Sequence, residues 1–189
     1  MTLACATTAE LRAARKAGAR GALVGLGAVN GVPEGPLVSF GLAGALHDGL
    51  PAGTVLDATR VVDGEGSVLW EGEPLGIAGA HPATILAAGA VVDGADERRQ
   101  LHERTGADAV DLESGPLART GRLQGVLRAV SDTPDRPLNG IVGAVGSDGG
   151  YDWSGLVRAF AREPRDFARA AGDARRALRR LTALTKEWA

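Results

Sequence analysis

The chain has 189 residues, 44% of them hydrophobic but only 4% aromatic, and a formal net charge of −2. That length suits a single core, spanning residues 1–189 as one domain and packed mainly from Ala, Val and Leu. So small a net charge excludes a protein whose whole surface is an electrostatic footprint for nucleic acid, and no nucleic-acid partner is expected.

Taken in chain order, short apolar runs bounded by Gly or Pro predict buried strands. The first covers residues 3–6 and holds Cys5, whose apolar setting is ordinary for a buried thiol; as the one cysteine of the chain it excludes an internal disulfide. A helix is predicted over 9–17 and a strand over 22–25, which runs into Gly25-Leu26-Gly27-Ala28-Val29-Asn30-Gly31. That stretch departs from a dinucleotide fingerprint: Asn30 stands where the third glycine belongs, and Val32-Pro33-Glu34-Gly35-Pro36 cannot open a long helix. It reads as a turn followed by a Gly- and Pro-rich loop over 30–36. A strand over 37–40 exits through Ser39-Phe40-Gly41-Leu42-Ala43-Gly44. An open α/β sheet places its binding crevice at such an exit, and small residues let main-chain N–H groups meet an anion or a sugar, although a tight strand exit accounts for the glycines equally well.

Further strands are predicted over 53–62, 109–111 and 125–130, with helices over 96–105 and 114–120. Asp111 and Glu113 leave one apolar strand and Asp132 leaves another, so the three carboxylates are expected at one edge of the sheet. Carboxylates beside a core are costly unless used or paired, and Arg128, inside the second strand, calls for an anionic partner. A functional site and a structural ion-pair network are equally good readings of that set. His47, His81 and His102 have no ligand-like spacing, so surface or loop histidines and no metal site are expected. Gly and Pro mark a loop over 134–150.

The final segment is the clearest helix, because Phe167, Ala171, Ala174, Leu178 and Leu181 recur on one face while Arg169, Arg176 and Arg180 lie opposite. From Tyr151 onward there are nine Lys and Arg against five Asp and Glu, a charge of +4, which leaves −6 on the first 150 residues. A solvated basic face is the favoured reading; peripheral contact with an anionic membrane is the alternative use of it. No apolar stretch reaches the roughly 20 residues of a membrane span and no signal-peptide pattern opens the chain, so a cytoplasmic protein is expected. Alternation of strands and helices predicts an α/β fold, a mixed or parallel central sheet flanked by helices, with a long C-terminal helix.

Three segments together resemble the purine nucleoside phosphorylase and nucleosidase superfamily, in that family's order. They are Val38-Ser39-Phe40-Gly41-Leu42-Ala43-Gly44 followed by Leu50-Pro51-Ala52-Gly53-Thr54-Val55; Thr105-Gly106-Ala107-Asp108-Ala109-Val110-Asp111-Leu112-Glu113-Ser114; and Arg128-Ala129-Val130-Ser131-Asp132. Phe40 to Gly44, the Asp132-Thr133-Pro134-Asp135-Arg136-Pro137-Leu138 segment and Arg162-Glu163-Pro164 look most like the hopanoid-biosynthesis-associated phosphorylase branch, with the methylthioadenosine/S-adenosylhomocysteine nucleosidases next.

That resemblance implies a three-layer phosphorylase/hydrolase-like fold and cleavage of the bond between ribose and adenine in a 5′-substituted nucleoside such as adenosylhopane. It implies Asp132 as the acid that protonates the purine, Glu113 on the ribose 2′-hydroxyl with Leu112 packed on the sugar, Glu10 as the base for attacking water, and Arg128 ordering the nucleophile. Val91 and Val92 would pair with the base through their backbone, and Asp111, Gly41, Leu42, Gly44 and Ser131 would complete the substrate lining. It implies no metal or organic cofactor, with water or inorganic phosphate as the nucleophile, Arg12 and Arg15 as candidate cations for phosphate, and a homo-oligomer. A nucleoside-binding or scaffolding protein without turnover is the competing class.

Overall fold

The computed structural model describes residues 1–136, 148 and 164–188, without the side chains of Pro164 and Phe167. Most of the predicted 134–150 loop, with Pro137, Leu138, Arg162 and Glu163, lies outside the described residues. Among the described residues eight strands form one mixed sheet: β1 (Thr2–Cys5), β2 (Gly21–Leu23), β3 (Leu37–Ala45), β4 (Val55–Val62), β5 (Val68–Glu71), β6 (His81–Ala87), β7 (Ala109–Asp111) and β8 (Leu123–Asp132). The order is β2-β1-β3-β7-β6-β4-β5, with β8 pairing both β3 and β4. Because β8 runs parallel to β3 and antiparallel to β4, the ladder β3-β7-β6-β4-β8 returns to β3 and closes on itself. Nine of the ten β8 residues are buried, as paired edges on both sides require.

The helices among the described residues are α1 (Thr8–Lys16), α2 (Ala95–Thr105), α3 (Ser114–Ala118) and α4 (Pro164–Trp188), with a short 3-10 turn at Leu26–Ala28. A capping box starts α1: the Thr7 hydroxyl accepts from the Glu10 N–H while the Glu10 carboxylate accepts from the Thr7 N–H. Gly106, at φ +68, stops α2 in the left-handed conformation that glycine adopts without steric cost.

Side chains along the central strands alternate between two layers, as a period of two demands. Val38, Phe40, Leu127 and Ala129 pack with Ala13 and Ala14 of α1 and Ala177, Leu181 and Leu184 of α4. Leu37, Val126 and Val130 point the other way, to Leu117 and Ala118 of α3. This is the expected α/β arrangement, with three differences. The strand β3 runs on through its glycines to Ala45 because it has partners on both sides. The strands β5 and β6 were not foreseen: β6 opens on exposed His81 and Pro82, which hide its apolar end. Finally, the buried stripe of α4 is Ala170, Asp173, Ala177, Leu181 and Leu184, rotated from the predicted face, whose Ala171, Ala174 and Leu178 are only half-buried. No helix among the described residues is long and apolar enough to cross a membrane.

Candidate active site

The ends of β3, β7 and β8 meet the first turn of α1 around a cavity of about 670 Å³. Glu10, Asp111, Glu113 and Asp132 all line it, although up to 122 positions separate them in sequence, and so do Leu42, Gly44, Val91, Val92, Leu112 and Ser131. Leu26 and the α4 residues Ala171, Ala174 and Leu178 form an apolar wall. Arg128 and Gly41 lie behind the wall, both buried. Of the two candidate phosphate cations on α1, Arg12 borders the cavity, together with Arg175 of α4.

Arg128 is fully buried and collects the acids from below. Its Nη2 donates to Ser39 Oγ at 2.7 Å and to Glu113 Oε2 at 3.3 Å, and Nη1 donates to the Leu42 carbonyl at 3.4 Å. Its Nε lies 2.7 Å from Asp111 Oδ2 but is not aligned for a hydrogen bond, so this contact is an ion pair alone. Burial by itself would depress the Arg128 pKa; Asp111, Glu113 and Glu10 more than offset it and raise the value. The same Asp111 oxygen accepts from the Ser114 hydroxyl, whose oxygen lies 3.0 Å from that of Ser39.

Glu10 reaches the same side of Gly41 as Arg128. Its Oε1 accepts from the Leu42 N–H at 2.8 Å and its Oε2 from the Thr7 N–H at 2.8 Å and the Thr7 hydroxyl at 3.0 Å. A Cβ at Gly41 would land on Glu10 Oε1 and within 2.6 Å of Arg128 Nη1. Glycine at 41 is therefore a matter of space: it lets an acid and a guanidinium share the place where a side chain would stand.

Glu113 accepts from the Gly27 N–H at 3.1 Å, which brings in the turn that resembled a cofactor loop. Gly27 and Ala28 in this turn both have positive φ, +61 and +62. Burial pushes the Glu113 carboxyl up to about 7, against the attraction of Arg128, with Asp111 and Glu10 adding repulsion. The folded protein thus holds a proton that an unfolded chain, with a glutamate pKa of about 4.3, releases. The stability gained from that proton is fully present below about pH 4.3 and is lost as pH rises through about 7, at up to roughly 1.4 kcal/mol per pH unit. Urea unfolding between pH 5 and 7.5 is expected to show this loss in the wild type and a flatter profile in Glu113→Gln. Equal slopes in the two proteins would rule out Glu113 as the titrating group.

Asp132 is 2% exposed, and its two oxygens are held separately. Oδ1 accepts from the Ser131 hydroxyl at 2.5 Å and Oδ2 from Nη2 of Arg98 at 2.5 Å. Burial raises its pKa; Arg98 and the Ser131 hydrogen bond oppose the shift without cancelling it. Arg98 was missed from sequence because Asp96-Glu97-Arg98-Arg99 reads as a solvated run. The one available signal was spacing, since Arg98 shares a helical face with Leu101 and Thr105.

The histidines show a further difference from the sequence reading. His47, His102 and Asp108 place one ligand-type atom each within 4.8 Å of one another. The cluster is nevertheless satisfied by hydrogen bonds. His102 Nδ1 donates to the Ala107 carbonyl at 2.7 Å, whereas His47 Nδ1 accepts from the Gly49 N–H at 3.0 Å. A neutral His47 therefore carries its proton on Nε2, facing Asp108 Oδ1 at 3.5 Å, where a metal would need a lone pair.

No protein-family model matches the chain, and no curated protein matches it. Solved structures do share its fold. The 5′-methylthioadenosine/S-adenosylhomocysteine nucleosidase of Helicobacter pylori superposes with a TM-score of 0.64 at 15% identity, over 98% of this chain and 97% of that one. Futalosine hydrolase from the same organism gives 0.63 at 14% identity with the same coverage. The Streptococcus pneumoniae methylthioadenosine/S-adenosylhomocysteine nucleosidase, bound to a transition-state inhibitor, gives 0.62 at 16% identity, again over 98% and 97%. At such identities the likeness establishes the fold alone, a single-domain α/β fold with a mixed central sheet flanked by helices and a C-terminal helix.

Proposed function

We propose that the protein hydrolyses the N-ribosidic bond of a 5′-substituted adenine nucleoside and releases adenine. One observation carries this reading: Glu10, Glu113 and Asp132, from three distant parts of the chain, border a single cavity of sugar-and-base size. Cleavage of this bond passes through an oxocarbenium-like state, which nearby carboxylates stabilise, and the departing purine needs a proton. Asp132, its pKa raised by burial, supplies that proton. Glu113 holds the ribose hydroxyls, and Glu10, fixed by Thr7 and Leu42, accepts a proton from the attacking water. Val91 and Val92 face the base beside Asp132, and no metal or organic cofactor takes part.

Water is favoured over phosphate by the state of Arg128. Its charge is already shared among Asp111, Glu113 and Glu10 behind the wall, so it adds little net attraction for a dianion. Arg12 and Arg175 are exposed to solvent. For the 5′ substituent, the wall of Leu26, Ala171, Ala174 and Leu178 favours a bulky apolar group of the adenosylhopane kind over a small thioether.

The test is adenine release from adenosines bearing apolar, methylthio, homocysteinyl or no 5′ substituents, with and without phosphate. Free ribose products without phosphate, with kcat/KM highest for the bulky apolar group, are the expected result. Ribose 1-phosphate formed only when phosphate is added would replace hydrolysis by phosphorolysis. Binding without product across the panel would make the protein a nucleoside-binding module instead.

A further inference from the structure

Arg98 is the second fully buried guanidinium of the described residues, 1% exposed, and it lies in the cavity wall on the side where Asp132 and Val92 meet. Its three nitrogens are directed to three different elements. Nη2 donates to Asp132 Oδ2 at 2.5 Å, Nε to the Val92 carbonyl at 3.0 Å and Nη1 to the Ala45 carbonyl at 3.3 Å. The end of β3, the segment after β6 and the end of β8 are thus pinned by one rigid planar group. Space for it is made by Gly44, where a Cβ would stand 2.8 Å from Asp132 Oδ2 and 3.1 Å from Arg98 Nη1. A buried charge this costly is not needed for stability: an apolar side chain of similar volume often serves a core as well or better. Its geometry instead spans the two parts of the site that would act on the base.

We propose that Arg98 is a positioning residue for the acid: it ties Asp132 to the backbone of the base-facing segment at Val92 and pairs with the carboxylate formed when Asp132 gives up its proton. This inference rests on the nucleosidase reading above. The N-ribosidic bond breaks with its electron pair leaving on the base, and the Asp132 proton passes to a ring nitrogen of that base. The new charge on Asp132 stays against Arg98 Nη2, while water adds its oxygen to the ribosyl carbon and loses a proton to Glu10. Burial favours the protonated form of Asp132 and Arg98 the unprotonated one, so each favours the opposite end of the transfer. Among the described residues, the charged groups that act on Asp132 are Arg98 from α2 and, at longer range, Asp93 from the segment before α2.

The sign follows from this balance. Without Arg98, the protonated form of Asp132 is favoured to a higher pH. In Arg98→Met the alkaline limb of the kcat profile should therefore move up by at least one pH unit, while kcat on its plateau falls at least tenfold. KM for the nucleoside should also rise, because the Val92 carbonyl has lost its donor. Arg98→Lys retains the charge and should return the limb to within about half a unit of wild type. A structural role alone would lower stability and plateau activity without moving the limb, and an unmoved limb in Arg98→Met overturns the proposal. If Arg98→Met is too unstable to assay, Arg98→Lys and Arg98→Gln are compared: a limb at the same pH in both equally overturns it. Asp132→Asn separates the two ideas. Full activity there sinks the nucleosidase reading, whereas an inactive Asp132→Asn beside an unmoved Arg98→Met limb sinks only the role of Arg98.

Discussion

Replacing Asp132 by Asn is expected to lower adenine release by roughly 10² to 10⁴-fold, the usual worth of a positioned general acid. The amide keeps the size of the side chain and still offers an oxygen to Arg98, but it has no proton to give to a departing purine. The substitution also leaves Arg98 buried without its counter-charge, so some stability is lost. Activity is therefore compared at a temperature where circular dichroism shows the variant folded. Turnover within a few-fold of wild type, in protein of unchanged ellipticity, would remove Asp132 from the chemistry and with it the proposed function.

The second large effect is on folding. Arg128→Met keeps most of the stem volume and removes the one guanidinium that holds Asp111 and Glu113 beneath the cavity. A buried partner left unpaired costs about 3–5 kcal/mol, and domains of this size have only about 5–15 kcal/mol in total. The expected result at pH 8 is a loss in that range by urea unfolding. The loss should shrink toward pH 5, because Glu113, already displaced to about 7, can take up a proton and shed its charge. Arg128→Lys should recover only part of the stability, since an ammonium cannot serve Ser39, Glu113 and Asp111 in one plane. A loss below about 1 kcal/mol for Arg128→Met at pH 8 would mean that water or rearranged acids replace the guanidinium, and that Arg128 does not organise the site.

These two residues also mark how far the primary sequence could be read. Asp132 and Arg128 were legible because a charged group on an apolar strand is anomalous wherever the strand lies. Glu113 stood out for the same reason. Glu10 did not: by composition it is an ordinary first-turn glutamate, and its capping box with Thr7 explains it without any site. Arg98 was hidden in a charged helical run, and the turn at Gly27 was set aside once it failed as a cofactor loop, although its N–H reaches Glu113. The alternating layers of β3 and β8 follow from side-chain periodicity, whereas β6 is obscured by exposed His81 and Pro82 at its start.

Local order determined the elements: the period of two in the strands, the Thr7–Glu10 cap, the glycine stops and the amphipathic final helix all act over a few residues, so they are written in the chain itself. Tertiary structure alone decided which acid meets which base. Arg98 reaches Asp132 from 34 positions away and Glu10 meets the main chain of Leu42 from 32, in space that glycine at 41 leaves open. Such pairings depend on how the sheet ladder closes between β3, β4 and β8, a non-local arrangement that no window of sequence encodes.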